Sequence, residues 1–362
     1  METADGKKKI RYIDYFKALL MILVILGHIN FANQEIKAWI YAFHMPPFFF
    51  ASGMLLKNGA VSDLRSVGKA IWKKFQCLMF PYFIWALIYS SLEASNLVRI
   101  LYGSHQVLGG AGSLTSLWFL PALFLATGLF YAAQLVFKNK WTVPVKLILA
   151  AVSFGIAAVL PKIKYGYPWC VNVSFCAFGF ILLGNVLFPL IQTIHKRIAG
   201  MKAGGLIVLL AVCLAFAGTL LYQLNIPEKG YVNMANAYYG NYFMFLFVAG
   251  MGILFSLSLS LLLDRVIPET VCEKWDFLSF LGQNTLCAFV IQKPVIKVFK
   301  KVFTMIRVPD VVSLAITCIG TAIVCCIAAM ILNRWLPVFV GKLPKTNAAD
   351  DGKRTCKDGG RA

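Results

Sequence analysis

An acid, a base and an imidazole lie along one apolar helix near the start of the chain. The stretch LLMILVILGHIN places His28 at the end of an apolar run that follows Lys17. Eleven residues make about three helical turns, so Lys17 and His28 share one face and lie roughly 16 Å apart along the axis. Asp14 lies within about 40° of that face. Because ionisable groups inside a membrane usually face a cavity or a partner, the pattern favours a functional role for His28 over a structural hydrogen bond.

A second imidazole stands beside two prolines in the stretch FHMPPFFFASG. Pro46 and Pro47 lack the backbone donors that a continuous helix needs, so they predict a break or a kink next to His44. A helix that is broken at membrane depth usually lines a cavity. A kink that serves only packing is the alternative.

The composition shows which elements must position these groups. Hydrophobic residues make up 59% of the 362 residues and charged residues 14%, and the mean hydropathy is +0.73. Apolar stretches of about 20 residues recur along the chain, which predicts an all-α, polytopic integral membrane protein with about ten transmembrane helices. We expect spans at 17–32, 37–56, 75–92, 115–137, 143–160, 170–190, 204–223, 241–263, 277–296 and 311–333.

The basic residues predict the orientation of the spans. Most of the Lys and Arg fall in the connections on the side of the N-terminus, so both termini are expected in the cytoplasm and the protein in the plasma membrane. One stretch, KPVIKVFKKVF, falls on the other side. Either the ninth span is misdrawn there or the stretch is an interfacial basic helix. Its basic residues, with the arginine that follows, are Lys293, Lys297, Lys300, Lys301 and Arg307.

Other classes of function are excluded by what the sequence lacks. The net charge of +20 is explained by topology, and no nucleic-acid-binding motif interrupts the apolar pattern. The ten cysteines form no CxxC pair and lie mostly in apolar runs, so we expect neither a disulfide framework nor a metal site. Residues 1–340 form one transmembrane domain, and the polar stretch 341–362 predicts a disordered cytoplasmic tail. The external loops 93–114 and 224–240 are rich in Gly, Asn and Tyr and could hold a sugar.

Several motifs together resemble a known family. They are KALLMILVILGHI, FHMPPFFFASGMLLK, LWFLPALF and FLGQNTLCAFVIQKP, in this order along the chain. This set is similar to the membrane acyltransferase-3 superfamily, especially the branch related to fucose 4-O-acetylases. The resemblance implies a ten-helix acyltransferase domain that moves an acyl group, usually acetyl from cytoplasmic acetyl-CoA, to a sugar of an extracytoplasmic or lipid-linked glycan.

The resemblance also assigns roles to residues. The basic and histidine pair of the family falls on Lys17 and His28, which implies that His28 is catalytic, and the Phe-x-x-Ser-Gly element falls on residues 49–53. Two positions depart from the family pattern. Of the paired arginines before the third span, only Lys74 has a basic counterpart, and Cys77 takes the second place. Gln292 stands where many relatives have a histidine at the end of the ninth span.

Acyl transfer to a hydroxyl requires a base within hydrogen-bond reach of that hydroxyl, and neutral histidine suits this work at neutral pH. His28 either deprotonates the acceptor for direct attack on the thioester or forms a covalent acyl intermediate. Asp14 lies about 21 Å down the helix, too far to orient the His28 ring. The candidates for holding the ring, the acceptor or the tetrahedral oxyanion are His44, which we also expect to be catalytic, and Ser52, Trp118, Asn241 and Gln292. Trp118 is alternatively a membrane-interface anchor.

The charged groups near the cytoplasmic end of the first span form a candidate mouth for the phosphates of the donor. They are Arg11, Asp14, Lys17, Lys69, Lys73 and Lys74. Topology and contacts with lipid phosphates are the alternative explanation for any single basic residue among them.

The sequence and the resemblance together predict a membrane O-acetyltransferase that is surrounded by membrane lipids, uses acetyl-CoA or another acyl-CoA as co-substrate and holds no tightly bound cofactor. Its expected acceptor is a hydroxyl of a cell-surface or lipid-linked glycan. A transporter of a glycan or small polar molecule is the main alternative, because polar residues and broken helices also build translocation paths. A membrane sensing or anchoring module without catalysis is the third.

Overall fold

The computed structural model describes residues 10–29, 34–90, 93–198, 200, 230–268, 276–306 and 309–343. Apart from turns, connections and one isolated bridge between Asn233 and Tyr238, these residues are helical, which confirms the all-α prediction for them. The predicted span 204–223, Arg307 and the tail from residue 344 onwards lie outside the described residues. The α-helices are α1 (Arg11–His28), α2 (Gln34–Phe43), α3 (Pro46–Met54), α4 (Leu64–Tyr89), α5 (Ala94–Tyr102), α6 (His105–Leu108), α7 (Phe119–Phe137), α8 (Val143–Val159), α9 (Val171–Ile198), α10 (Tyr242–Val266), α11 (Phe277–Gln283), α12 (Thr285–Ile306) and α13 (Asp310–Trp335).

Four helical segments among the described residues are long and apolar enough to cross a membrane. They are Leu114–Lys140, Pro168–Ile198, Tyr242–Val266 and Asp310–Trp335, and a shorter apolar helix covers Val143–Val159. This composition makes the chain a membrane protein. The count of ten spans and the cytoplasmic position of both termini stay predictions.

Two predicted spans are each divided into two helices. The second span becomes α2 and α3, which separate at His44 and Met45, as the two prolines predict. Pro46 opens α3, where the missing backbone donor costs nothing because the first turn of a helix has no acceptor for it. The ninth span becomes α11 and α12, which separate at Asn284. At the start of α11, the side chain of Asp276 accepts a hydrogen bond of 2.9 Å from the backbone N–H of Ser279 and caps the helix.

Close backbone approaches fix α3 against α9. A Cβ atom added at Gly53 would overlap the backbone carbonyl of Ile181, and one added at Gly184 would overlap the backbone carbonyl of Phe50. The glycine of the Phe-x-x-Ser-Gly element is thus required by helix packing. Its absent side chain lets the two helices touch backbone to backbone.

The first helix is surrounded by protein. Its buried side chains include Tyr12, Phe16, Leu20 and Val24, and α11, α10, α12 and α3 pack around it. At the contact with α11, a Cβ atom at Gly282 would overlap the backbone carbonyl of Asp14. Helix α1 is therefore held in one orientation, and the face shared by Lys17 and His28 is fixed relative to its neighbours.

The predicted external loop 93–114 is largely helical. Helix α5 and the short helix α6 are followed by a 3-10 helix over Gly109–Trp118. The hydroxyl of Tyr82 donates to the Ile100 carbonyl at 2.7 Å, and the Trp169 Nε1–H donates to the Leu101 carbonyl at 2.8 Å. These bonds pin the segment to α4 and to the connection before α9, so it covers the end of the bundle in an ordered way.

A buried lysine contacts the chain that follows α3. Lys146, at the start of α8, is only 4% exposed, and its ammonium donates to the side-chain oxygens of Asn58 and Asn185 at 2.7 and 2.8 Å. The Nδ2 of Asn185 donates in turn to the backbone carbonyl of Leu56 at 2.8 Å. We call Asn58, Lys146 and Asn185 the lysine lock. It ties α8 and α9 to the chain that leaves α3.

Candidate active site

The last turn of α1 carries His28 into a group of polar side chains. The ring is partly exposed, but its Nδ1 is buried and has no hydrogen-bond partner among the described residues. Gln292, His44 and Lys293 are the side chains that act on this imidazole. The imidazole thus retains one buried nitrogen without a hydrogen-bond partner among the described residues, which suits a residue that must exchange a proton with a substrate.

His44 enters the site from the end of α2. It is 6% exposed, and its Nδ1 lies 2.9 Å from the backbone carbonyl of Ile40. Since a carbonyl oxygen only accepts, Nδ1 must carry the proton, and the neutral ring then presents Nε2 as an acceptor. The break between α2 and α3 ends the helix at this residue, and the ring packs at 4.9 Å between centroids against Tyr41.

Gln292 enters from α12 and is fully buried. Its Oε1 has no hydrogen-bond partner among the described residues, and its Nε2 makes one long contact of 3.4 Å with the backbone carbonyl of Phe289. A buried amide with an unused oxygen is costly unless a ligand or water satisfies it. His28 and Gln292 therefore bring two unused polar atoms to one place, from two different helices.

Sequence reasoning placed Lys293 only in an external basic stretch and missed its part in this site. Its ammonium donates to the hydroxyl of Thr115, and its charge acts on both His28 and His105. His105, on α6, lies 2.7 Å from the side-chain oxygen of Asn236 through its Nδ1. The sequence did hold a hint, because Lys293 directly follows the predicted site residue Gln292. The direction in which the Lys293 side chain points could not be predicted without the neighbouring helices.

Burial lowers the pKa of His105, the positive charge of Lys293 lowers it further, and the hydrogen bond with Asn236 raises it. The first effect is the largest. His105 is therefore neutral at pH 7, so the charge at this end of the site comes from Lys293.

A cavity of about 210 Å³ lies between α1, α3, α4, α7 and α12. Lys17 and Met21 of α1 and Ser52 of α3 contribute to its wall, which is otherwise mostly apolar. Phe289, one helical turn before Gln292, lines it as well. The cavity thus extends from the level of Lys17 toward the polar group around His28, although His28 itself is not part of the wall. Its remaining lining residues are Phe48, Ala51, Leu55, Leu78, Phe119, Leu120, Leu123, Thr285 and Leu286.

The acidic and basic residues near Lys17 are paired. The ammonium of Lys17 lies 3.0 Å from one carboxylate oxygen of Asp14, and Gln283 donates to the other at 2.9 Å. Arg11 pairs with Asp264 of α10, which also lies 2.7 Å from His195 of α9. Of the predicted donor-binding group, Lys17 therefore reaches the cavity, Asp14 positions it, and Arg11 points into a separate ion-pair network.

The other predicted site residues are distributed as follows. Lys74 lies on α4, one turn before Leu78 of the cavity wall. The Ser52 hydroxyl donates to the Phe48 carbonyl at 2.9 Å. Trp118 is 6% exposed and packs edge-on against Phe119.

Asn241 is used for capping, because its side-chain oxygen accepts from the backbone N–H groups of Phe243 and Met244 at 3.1 and 3.2 Å. The structure thus brings His28, His44 and Gln292 together, whereas the observed contacts of Trp118 and Asn241 are with Phe119 and with the first turn of α10. Among the described residues, no three His, Cys, Asp or Glu side chains gather as a metal site would require.

The fold and site define a helical membrane protein with a buried histidine centre beside an apolar cavity. Comparison with known proteins identifies the family: an acyltransferase domain matches residues 10–330, and the chain belongs to this acyltransferase family. It is 28% identical over 180 residues to the nodulation protein NolL of Sinorhizobium fredii, covering 45% of this chain and 47% of that protein. It is 25% identical over 181 residues to the nodulation protein NolL of Mesorhizobium japonicum, covering 45% of this chain and 46% of that protein. The similarity spans about half the length of these curated relatives.

Proposed function

We propose that this protein is a membrane O-acyltransferase that moves an acyl group, acetyl in the first instance, from cytoplasmic acyl-CoA to a hydroxyl of a cell-surface or lipid-linked glycan. The observation that carries the proposal is the pair of unused polar atoms, His28 Nδ1 and Gln292 Oε1, buried beside His44 near the apolar cavity. The membership of the chain in the acyltransferase family supports it. The enzyme acts in the plasma membrane, with both termini in the cytoplasm and residues 1–340 as the transferase domain.

His28 performs the proton transfers. As the neutral base it removes the proton of the acceptor hydroxyl while the oxygen attacks the thioester carbon. The tetrahedral intermediate then collapses, the carbon–sulfur bond breaks, and the imidazolium returns the proton to the departing thiolate, so the products are the ester and free CoA. In the alternative order, a ring nitrogen of His28 attacks the thioester, the carbon–sulfur bond breaks, and CoA leaves as the thiol with the proton given up by the ring. The acceptor hydroxyl then attacks the acyl-imidazole, the carbon–nitrogen bond breaks, and the hydroxyl proton returns to the ring. Gln292 and His44 orient the ring and the reacting groups.

The cavity supplies a path for the donor. A pantetheine arm is narrow and largely apolar apart from its amides, which matches a wall of Phe, Leu and Met side chains with Lys17 at one end. Lys17 would meet the donor near its phosphates, while the thioester reaches toward His28. A bulky residue in this wall is expected to obstruct the arm.

The first test replaces His28 by Ala and measures free CoA released from acetyl-CoA by membranes that contain a glycan acceptor. General base catalysis contributes about 10²- to 10⁴-fold, so a loss in this range is expected with normal accumulation of the variant. Leu26→Ala is the matched control, because Leu26 lies on the opposite side of α1 and only partly exposes its side chain. Normal acyl transfer by the His28 variant would remove His28 from the mechanism. A transporter would release no CoA with either variant.

A second test addresses the donor path. Met21→Trp should block the cavity and lower transfer at least as strongly as the removal of Lys17, whereas Leu19→Trp, on the opposite side of α1, should be tolerated. Photo-crosslinking with an acyl-CoA analogue reports the contact directly. Labelling confined to residues far from the cavity wall would overturn the proposed donor path.

A further inference from the structure

One face of α12 carries a row of lysines that leads away from His28. Lys293, Lys297, Lys300 and Lys301 follow one another at spacings of four, three and one residues, which places them within about 100° on the helix. We call these four residues the lysine track. Its first member lies inside the candidate active site, and its last members lie on the surface of the protein.

The inner end of the track, Lys293, has no carboxylate partner within the described part of the chain. Among the described residues, Lys293 donates a hydrogen bond to the hydroxyl of Thr115, and its charge acts on His28 and His105. No Asp or Glu of the described part of the chain forms an ion pair with it. At the other end of α1, by contrast, both Arg11 and Lys17 have a carboxylate partner.

A partly buried ammonium is costly unless an opposite charge or several hydrogen bonds compensate it. One hydroxyl compensates it only in part. An anionic group brought by a ligand would complete the pairing, beside the imidazole that performs the transfer.

The outer end of the track is open to a large ligand. Lys297, Lys300 and Lys301 line a shallow surface cavity of about 400 Å³ together with Thr304 and Met305. Anionic groups are drawn along a row of like charges, because the attraction of each lysine adds to that of the next. The open groove and the partly buried Lys293 lie along the same face of α12, so the four lysines form one row of positive charge that ends at the site.

We propose that the lysine track binds an acceptor that carries an anionic group, a phosphate or a carboxylate, and that Lys293 holds this group next to His28. The proposal rests on the proposed function for the identity of the reaction, and it assigns the substrate class of the same site. The phosphate of a lipid-linked sugar and the carboxylate of an acidic sugar share the required chemistry.

Binding to the full-length protein in nanodiscs of neutral lipid tests the proposal without any need for turnover. Three probes of similar size are compared: glucose phosphate, glucuronate and uncharged methyl glucoside. The His28→Ala protein, in which Lys293 is retained, should bind one or both anionic probes more tightly than methyl glucoside. A charge-assisted hydrogen bond corresponds to about 10- to 100-fold in affinity, and Lys293→Met should lose this advantage. Preference for glucose phosphate over glucuronate would identify a phosphate-bearing acceptor, and the reverse an acidic sugar.

Two control variants make the result specific. Lys293→Arg keeps the charge and should retain most of the preference. Lys162→Met removes an exposed lysine whose ammonium packs on Tyr238 and should leave all three affinities unchanged. Equal affinity for charged and uncharged probes in the His28→Ala protein that retains Lys293 would overturn the proposal. Loss of anionic binding only when the bilayer contains anionic lipid would assign the track to headgroups, and would overturn it as well.

The failure of the proposed function is a separate outcome. It would show as CoA release that does not depend on His28, whereas failure of the acceptor proposal would show as probe binding that does not depend on Lys293.

Discussion

Two lysines of this protein are withdrawn from water in different ways. Lys146 is satisfied: two amide oxygens accept from its ammonium, and the Trp141 ring lies 5.2 Å away. Lys293 donates to one hydroxyl and lies among histidines. A satisfied buried charge contributes to stability and binds nothing further, whereas a charge left with few partners is available to a ligand. Lys146 thus stabilises the fold, whereas Lys293 remains available to the site.

The lysine lock should show the largest effect on stability. Lys146→Met removes two hydrogen bonds from a charged donor and leaves the buried side-chain oxygen of Asn185 without its donor, at a cost of about 2–4 kcal/mol in the free energy of unfolding. The side-chain oxygen of Asn58 keeps the Trp141 Nε1–H as a donor. The apparent midpoint of thermal unfolding in detergent should fall by roughly 5 °C. Lys140→Met, at an exposed lysine on the neighbouring turn, is the control. A midpoint that stays unchanged in Lys146→Met would show that the lock does not stabilise the fold.

Asn185→Ala should cost nearly as much, because Asn185 also donates to the backbone carbonyls of Leu56 and Gly53. The expected loss is about 1–3 kcal/mol. Combined with Lys146→Met, the losses should not add, since both variants break the same network, and a coupling of about 1 kcal/mol is expected from a double-mutant cycle. Strict additivity would mean that the two side chains act independently.

Lys293→Met should have a small effect on stability, since few hydrogen bonds are lost and a partly buried charge is removed. We expect a change in unfolding free energy of less than about 1 kcal/mol, together with a clear loss of acyl transfer. Thermal unfolding and CoA release are measured on the same preparation. If Lys293→Met lowered the free energy of unfolding as much as Lys146→Met does, the proposed difference between the two lysines would be wrong.

The smallest effect is expected at Thr115. Thr115→Val keeps the shape of the side chain and removes the hydroxyl that accepts from Lys293. A hydrogen bond from a charged donor is worth about 1.5 kcal/mol or slightly more, so acyl transfer should fall about 10-fold, less than for Lys293→Met. Thr115→Ser should restore it. A loss as large as that of Lys293→Met would make Thr115 more than a support for the lysine.

The sequence predicted the division of the second span correctly because proline acts locally. Pro46 and Pro47 exclude a continuous helix whatever surrounds them, so the end of α2 at His44 follows from the residues themselves. The prediction that 93–114 forms a loop was wrong for most of that stretch. Its helices are held by distant partners, such as the Tyr82 hydroxyl on the Ile100 carbonyl, which no local pattern reveals.

Among the site residues, spacing along one helix was enough to place Lys17 and His28 on one face of α1, because helical geometry is the same in every sequence. Composition was likewise enough to predict a helical membrane protein.

The tertiary structure decided which groups meet the Lys17 and His28 face of α1. Gln292 and Lys293 are 264 and 265 residues distant from His28 in the sequence, and they approach it only because α12 packs against α1. Lys17 and Asp14 were both predicted at the donor mouth, and the tertiary structure shows that the two pair with each other. The packing of Gly282 against Asp14 brings Gln283 to the same carboxylate. A residue type states what chemistry is possible, and the long-range packing of helices determines which charges are compensated and which are left for a substrate.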